Sequence, residues 1–259
     1  MSKPSVVITG ASSGIGAVYA DRFARRGHDL VLVARDRAKL DALAAKLRRE
    51  AKVEVDVVQA DLTVEADLVA VEQRIATDGR IGVLVNNAGA ALEGTFLDQT
   101  GAQIDALVRL NVTAAARLAR AVAPGFAAAG SGAIINVASV VGVAPELGMT
   151  VYGATKAFLL FLSQGLQLEL GPRGVYVQAV LPAATRTDIW RRSGRDVNQI
   201  AGVMEVDDLV DAALIGFDRR ELISLPSLPD GEQWDAFNGA RQAMLPNLGN
   251  SAPAARYRS

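Results

Sequence analysis

The sequence predicts an α/β protein built on one doubly wound parallel sheet of about seven strands, with helices on both faces. Short apolar runs alternate along the 259 residues with segments of helical periodicity, which is typical of βαβ units. Half of the residues are hydrophobic but only 5% are aromatic, which suits small side chains packed between helices and a sheet. We find no repeat, low-complexity tract or linker, so residues 1–259 are predicted to form a single domain.

The predicted strands are apolar runs bounded by glycine, proline or polar residues. They span residues 5–9, 29–34, 53–60, 81–87, 132–139, 175–182 and 222–227. Helical patterns cover residues 14–27, 36–50, 64–76, 101–127, 152–170 and 232–244. Asp36 is a plausible N-cap for the second of these helices. Because strands joined through helices pair in parallel, their carboxyl ends meet at one edge of the sheet, where ligands bind in such folds.

Composition excludes several kinds of chemistry. The chain has no cysteine, so it has no disulfides, thiol nucleophiles or thiolate metal sites. His28 is the only histidine, which argues against a Ser-His-Asp triad and a multi-histidine zinc site, and no metal site is expected. The net charge of −1 favours neither nucleic acid nor an anionic membrane surface. No stretch approaches the ~20 apolar residues that span a bilayer, and a cytoplasmic location is expected.

The first two strands are followed by features that suit a dinucleotide. In the segment TGASSGIG (9–16), the glycines would let the backbone turn tightly and approach a pyrophosphate at the start of the next helix. A tight turn without a ligand is the alternative. After the second strand, Arg35 follows the position where an acidic residue would bind a ribose 2′-hydroxyl, and a guanidinium suits a 2′-phosphate. A solvated loop arginine is the competing interpretation, and the neighbouring Asp36 keeps it open.

The other strand ends are also polar, glycine-rich or rigid. Asp61 follows the third strand and could accept a hydrogen bond from an adenine amino group or cap the next helix. The sequence NNAG (86–89) follows the fourth strand, Ser139 the fifth and Pro182 the sixth. Together these positions predict a ligand crevice along one edge of the sheet.

The helix predicted at 152–170 carries a tyrosine and a lysine one turn apart. Tyr152 and Lys156 are costly to bury without partners because both lose hydrogen bonds to water. At i and i+4 they share one helix face, and the lysine charge favours the phenolate form of the tyrosine. A snorkelling lysine beside a chance tyrosine is the alternative.

Taken in order, these motifs resemble the short-chain dehydrogenase/reductase superfamily over roughly residues 4–225. The resemblance rests on the glycine segment, NNAG, Asn111 in LNVTAA, Ser139 and the stretch YGATK that ends in Lys156. It implies a Rossmann-like fold and an NAD(P)-dependent oxidoreductase that acts on carbonyl or alcohol groups. It further implies that Tyr152 is the general acid/base with Lys156 in support. Ser139 would position the substrate oxygen, and Asn111 would hold a water of the proton relay.

The same resemblance implies a nicotinamide dinucleotide, with NADP(H) preferred because of Arg35 and NAD(H) as the alternative. The residues expected to contact it lie in the strand-end loops and on the Tyr152 helix. They are Gly10, Ser12, Ser13, Gly14, Ile15, Gly16, Arg35, Asp61, Leu62, Asn87, Ala88, Gly89, Tyr152, Lys156, Pro182 and Thr187. Two positions depart from the family pattern. Ala183 stands where a glycine usually follows Pro182, and Ser13 stands where many NADP-preferring relatives place a basic residue.

Residues 188–203 are predicted to form a lid over a small carbonyl or hydroxy substrate, and residues 228–259 a C-terminal extension outside the shared motifs. Trp190 is expected to form one wall of the substrate pocket, and four residues from the range 140–149 are expected to form the opposite wall. These are Val140, Val141, Pro145 and Met149. Arg191 and Arg192 could meet an anionic substrate or lie on a solvated helix face.

The run AFLLFL (157–162) is apolar on every side, more than one sheet face can bury. The resemblance implies that this helix and the one before it pair across a two-fold axis in a homodimer or homotetramer. A thick monomer core is the alternative.

Two further functions stay open. A lyase or dehalogenase on the same fold tends to lose the glycine-rich site, which this chain keeps, and a nucleotide-sensing protein without catalysis would be favoured by a broken Tyr152–Lys156 pair. Among oxidoreductases, the sequence does not separate a 3-oxoacyl reductase from a 3-hydroxy-acid dehydrogenase or a broad carbonyl reductase.

Overall fold

The computed structural model describes residues 3–92, 94–188, 190 and 196–258. The chain divides into two compact units, Met1–Pro226 and Ser227–Ser259. The second unit starts one residue before the extension predicted at 228–259. The grouping of the whole chain into a single domain stays a prediction.

Over the described residues, the first unit holds a seven-stranded sheet in the order β3-β2-β1-β4-β5-β6-β7, with each strand parallel to its neighbours. The strands are β1 Ser5–Thr9, β2 Leu30–Ala34, β3 Val55–Gln59, β4 Ile81–Asn86, β5 Gly132–Val137, β6 Val175–Val180 and β7 Ile223–Ser224. Every predicted strand is present, and the predicted doubly wound fold is confirmed. The strand order reverses at β1, where Val6 pairs with Leu30 on one side and Val83 on the other.

Helices cover both faces of this sheet. Among the described residues of the first unit, the longer α-helices are α1 Gly14–Arg25, α2 Arg37–Ala51, α3 Glu65–Thr77, α4 Gly101–Val108, α5 Ala115–Ala129, α6 Thr150–Leu170 and α7 Val206–Asp218. The second unit contains α8 Gly231–Ala243. Side chains of α1, α2 and α7 contribute to one apolar cluster, and those of α3 and α5 contribute to the other. Because both sheet faces are covered, β1, β2 and β6 are buried at every position, and most of their residues are apolar.

Two helices differ from their predicted form. The single helix predicted at 101–127 is interrupted by a π-helical turn, Arg109–Ala114, that separates α4 from α5. Helix α7 was not predicted at all, although Asp207 and Asp208 in its first turn precede apolar residues at helical spacing.

Among the helices that the structure describes, none combines the length and the apolar character that crossing a bilayer requires.

Candidate active site

A cavity of about 770 Å³ runs along the carboxyl ends of the strands, at the edge that the sequence predicted for a ligand. Nearly all of the predicted site residues line it. They are Gly10, Ser12, Ser13, Gly14, Ile15, Arg35, Asp61, Leu62, Asn87, Ala88, Gly89, Ser139, Tyr152, Lys156, Pro182 and Thr187. Gly16 and Asn111 are not among the lining residues and lie behind the cavity wall.

The glycine segment forms a tight turn between β1 and α1. Gly10 and Gly14 have φ values of +65° and +55°, a region that favours glycine. A Cβ atom on Gly16 would lie 2.5 Å from the carbonyl oxygen of Gly10, so Gly16 permits the close packing of α1 against the loop. Ser13, the N-cap of α1, makes no side-chain capping hydrogen bond, and the first turn of α1 has no acidic residue. The helix therefore presents uncapped N–H groups and its positive dipole end to the cavity, as an anion site requires.

Charged residues gather where β2 and β3 end. Arg35 Nη1 lies 3.7 Å from Asp61 Oδ2, and Arg35 is largely exposed. Asp36 caps α2 as predicted, because its Oδ1 accepts a hydrogen bond from Lys39 N at 3.0 Å. Lys39 also lines the cavity, so it adds a second cation that the sequence reasoning missed. Its place in the first turn of the helix that follows Arg35 is the signal that could have identified it.

Asp61 closes the turn that leads into α3. Its Oδ1 accepts hydrogen bonds from Thr63 N at 2.9 Å and Thr63 Oγ1 at 2.6 Å, whereas the N-cap of α3 is Val64. Burial raises the pKa of Asp61, but the Thr63 hydrogen bonds and the Arg35 charge outweigh it and leave the pKa below its usual value. The predicted role as a cap of the next helix is therefore wrong, because Val64 is the N-cap and Asp61 closes the turn before it. Contact with an adenine stays a prediction.

The NNAG segment braces the sheet and fixes the neighbouring loop. The buried Asn86 side chain donates to Ala115 O and Asn136 Oδ1, both at 3.0 Å. Asn87 Nδ2 donates to Thr9 O at 2.9 Å, and Thr9 Oγ1 accepts from the N–H groups of Asn87 and Ala88 at 3.0 Å. The loops after β1 and β4 are therefore held together at the floor of the cavity.

Ser139, Tyr152 and Lys156 meet at the other end of the cavity. Lys156 is only 4% exposed; its Nζ donates to Val137 O at 2.7 Å and lies 5.6 Å from the centroid of the Tyr152 ring. Burial lowers the pKa of Lys156 to about 8. Burial raises the pKa of Tyr152 to about 12, although a hydrogen bond with Ser139 partly opposes this rise. At neutral pH the phenol therefore holds its proton beside a lysine that is still mostly charged.

Asn111 lies in the π-helical turn and is buried behind this end of the cavity. Its Nδ2 donates to Ala90 O, and its Oδ1 accepts from Ala90 N, both at 3.0 Å. The side chain thus holds the backbone of Ala90, which follows the cavity-lining residue Gly89. The predicted role of Asn111 in holding a relay water stays a prediction.

The predicted lid is described only in part, since residues 189 and 191–195, with Arg191 and Arg192, lie outside the described residues. A parallel bridge between Thr185 and Met204 closes the base of this segment. Asp188 and Trp190, before the gap, line the cavity, and so does the range 200–202 after it.

The predicted opposite wall is present, with one exception. Val140, Val141 and Met149 line the cavity, whereas Pro145 is exposed and does not; Leu147 is the lining residue two positions later. Ala183, where a glycine is usual, has no positive φ value, so the alanine fits this loop without backbone strain.

The comparisons with known proteins agree with this geometry. The sequence profile of the short chain dehydrogenase family matches residues 4–198. The very-long-chain 3-oxoacyl-CoA reductase of Bos taurus is 37% identical over 187 residues, which make up 71% of this chain. The aligned part spans only 60% of the length of that bovine protein.

Two solved structures are similar over essentially the whole chain. One is a short-chain dehydrogenase from Sphingobium yanoikuyae in complex with NADPH, 64% identical, with a TM-score of 0.97 over 98% of this chain and 100% of that one. The other is the bulky-bulky ketone specific alcohol dehydrogenase of Comamonas testosteroni, 56% identical, with a TM-score of 0.94 over 100% of both chains.

Proposed function

The chain belongs to the short-chain dehydrogenase family of oxidoreductases, and from this premise we propose that it is an NADPH-dependent reductase of ketones that carry two bulky apolar substituents. The observation that carries the proposal is the continuity of one cavity. At one end lie the uncapped start of α1 and the cations Arg35 and Lys39; at the other lie Ser139, Tyr152 and Lys156. A dinucleotide laid along the cavity would reach both ends.

The residues at the first end fit the phosphates of such a cofactor. The positive φ values of Gly10 and Gly14 create a cradle next to the start of α1, and a Cβ atom on Gly10 would lie 2.9 Å from Ala88 Cα. We assign Arg35 and Lys39 to the 2′-phosphate that distinguishes NADPH from NADH, because two cations border this part of the cavity. The NADPH bound to the Sphingobium relative supports this assignment. When bound, the reduced nicotinamide supplies the hydride for the carbonyl carbon.

The residues at the second end perform the proton chemistry. Tyr152, protonated at neutral pH, gives its phenolic proton to the substrate oxygen as the carbonyl becomes an alcohol. The Ser139 hydroxyl donates a hydrogen bond to the same oxygen and stabilises the negative charge that develops there. The Lys156 ammonium, held beside the ring by Val137 O, stabilises the phenolate that remains on Tyr152.

The lining of this end supports an apolar substrate. Around Tyr152, most of the described lining side chains are aliphatic or aromatic. They include Val140, Val141, Leu147, Met149, Trp190 and Ile200. Ala184, Ala201 and Gly202 are small lining residues that leave room for a second large substituent. The Comamonas relative, described as specific for bulky-bulky ketones, supports the same class.

The test is to follow the nicotinamide absorbance while the purified protein reduces a diaryl or aryl-alkyl ketone with NADPH. Replacing the phenol by Tyr152→Phe removes the general acid, and we expect kcat to fall about 100-fold or more. NADPH should still bind to this variant, as measured by the fluorescence of the nucleotide. Full ketone reduction by Tyr152→Phe would rule out the mechanism.

A second candidate function is the reduction of long-chain 3-oxoacyl thioesters, which the bovine relative favours. The same assay with a 3-oxoacyl thioester as substrate separates the two candidates. A much higher kcat/KM for the thioester than for the bulky ketone would replace our proposal with this one.

We also propose a homodimer or homotetramer assembled through α6. On this helix Phe161 is 76% exposed and Leu168, two turns later, is 80% exposed. Phe161 belongs to the apolar run that the sequence singled out and Leu168 extends it along the helix, and a two-fold partner helix would cover both. The cytoplasmic location expected from the sequence stays a prediction.

A further inference from the structure

We propose that Thr155 is a positioning residue that ties the backbone of Tyr152 to Asn111. This inference rests on the proposed function, since it assigns to Thr155 the task of holding the proton donor of that reaction. Thr155 is only 3% exposed and is not among the residues that line the cavity. It can therefore act only through its neighbours.

The Thr155 hydroxyl makes two hydrogen bonds. It donates to the backbone oxygen of Tyr152 at 2.7 Å and accepts from Asn111 Nδ2 at 3.0 Å. A threonine in a helix often donates to a carbonyl one turn earlier, and that bond alone would be local. The second bond makes it non-local, because Asn111 belongs to the π-helical turn between α4 and α5.

Asn111 continues the connection to the cavity. Its remaining hydrogen-bond groups hold the backbone N–H and carbonyl of Ala90, which follows the cavity-lining residues Ala88 and Gly89. An unbroken chain of hydrogen bonds thus runs from the loop after β4, through Asn111 and Thr155, to Tyr152. The loop and the catalytic helix cannot shift independently without breaking it.

The start of α6 is not stabilised by a side-chain cap. Tyr152 lies in the first turn of α6, and the N-cap residue, Met149, makes no side-chain capping hydrogen bond. Uncapped helix termini fray. The bond from Thr155 to the Tyr152 carbonyl anchors this turn from inside the protein. It thereby sets where the Tyr152 phenol stands relative to Ser139 and Lys156.

The matched variants are Thr155→Val, which keeps the shape and removes the hydroxyl, and Thr155→Ser, which keeps the hydroxyl and removes a methyl group. We expect Thr155→Val to lower kcat for ketone reduction about 10-fold, since small displacements of a catalytic group have effects of this order or larger. The Kd for NADPH should not change. Thr155→Ser should restore most of kcat.

A second readout does not depend on activity. NMR of the protein with labelled tyrosine ζ-carbons reports on each phenol, and the Tyr152 signal is identified by its loss in Tyr152→Phe. We expect Thr155→Val to shift the Tyr152 signal at neutral pH, because a displaced phenol has a weaker hydrogen bond with Ser139. Thr155→Ser should restore the position of the Tyr152 signal. The signals of Tyr19, Tyr176 and Tyr257 should stay in place and report an intact fold.

The shift of the Tyr152 signal must be separated from the effects of other charged groups of the cavity. Among the described residues, the ionisable side chains that line it, apart from Tyr152, are Arg35, Asp36, Lys39, Asp61, Lys156 and Asp188. All six are unchanged in the valine and serine variants, so a difference between the two variants reports the hydroxyl at position 155.

An unmoved Tyr152 signal in Thr155→Val, or a lower melting temperature with unchanged kcat, would overturn the positioning role. If wild type binds NADPH but reduces no ketone, the proposed function fails, and the NMR comparison still decides the role of Thr155. Should valine at 155 prevent folding, Thr155→Ala removes the same hydroxyl and takes its place.

Discussion

Arg35 and Lys39 are the residues that we assign to the 2′-phosphate, the group that distinguishes NADPH from NADH. Arg35 Nη1 lies 3.7 Å from Asp61 Oδ2, and Lys39 Nζ lies 3.9 Å from Asp36 Oδ2. These are loose, exposed pairs that stabilise the protein little. Both cations can therefore turn to a phosphate at small cost to the fold.

We expect Arg35→Ala to weaken NADPH binding about 10-fold and to leave NADH binding nearly unchanged, because only NADPH carries the 2′-phosphate. Lys39→Ala should do the same to a smaller degree. Parallel fluorescence titrations with both nucleotides measure this, with Arg37→Ala as the control, since Arg37 is paired with Asp41 and is not among the residues that line the cavity. Equal weakening of NADPH and NADH by Arg35→Ala would contradict the assignment.

The lowered pKa of Lys156 predicts how the activity depends on pH. Its pKa of about 8 means that its positive charge disappears as the pH rises above 8. Without that charge, the phenolate that Tyr152 becomes after giving up its proton is less stable. We therefore expect kcat/KM for ketone reduction to be flat below about pH 8 and to fall above it.

Lys156→Arg provides the matched test, because a guanidinium keeps its charge throughout this range. The variant should be slower, since arginine does not reproduce the contact with Val137 O, but its pH profile should lack the inflection near 8. An unchanged inflection in Lys156→Arg would assign the titration to another group.

At the scale of elements, the strands were predicted well because both sheet faces are covered and their runs are short and apolar. Helix α7 was absent from the predicted elements, although its buried apolar residues recur at helical spacing. The π-helical turn around Asn111 could not be predicted, since nothing in LNVTAA departs from an ordinary helix. It is stabilised by partners distant in sequence, Ala90 and Thr155.

The candidate site shows the same division. Glycine spacing, Arg35 and the Tyr152–Lys156 pair are local patterns, and the structure brings them to one cavity as expected. The positions of Gly16 and Asn111 behind the wall depend on tertiary packing, which no local pattern encodes. A Cβ atom on Gly16 would meet Gly10 O and Asn87 Nδ2, so its requirement comes from two other segments.

At the scale of the whole molecule, the exposed apolar side chains of α6 favour an oligomer. We expect the protein to elute as a dimer or tetramer, and Phe161→Asp or Leu168→Asp to yield smaller species, because a buried unpaired carboxylate is costly at an interface. Size-exclusion chromatography with light scattering measures the mass. Val64→Asp, which changes an exposed apolar N-cap residue on α3, is the control and should leave the mass unchanged. A monomeric wild-type protein would refute the proposed assembly.

The position of β1 between β2 and β4 also affects how the sheet forms while the protein is synthesised on a ribosome. Strands β1, β2 and β3 can pair soon after synthesis, but Val6 must wait for Val83 before the other side of β1 is closed. Until β4 emerges, the nascent chain presents an unpaired apolar edge, which is the kind of surface that chaperones bind and that promotes aggregation. The same strand order that opens the ligand crevice thus leaves one edge of β1 unpaired until β4, the fourth strand, has been synthesised.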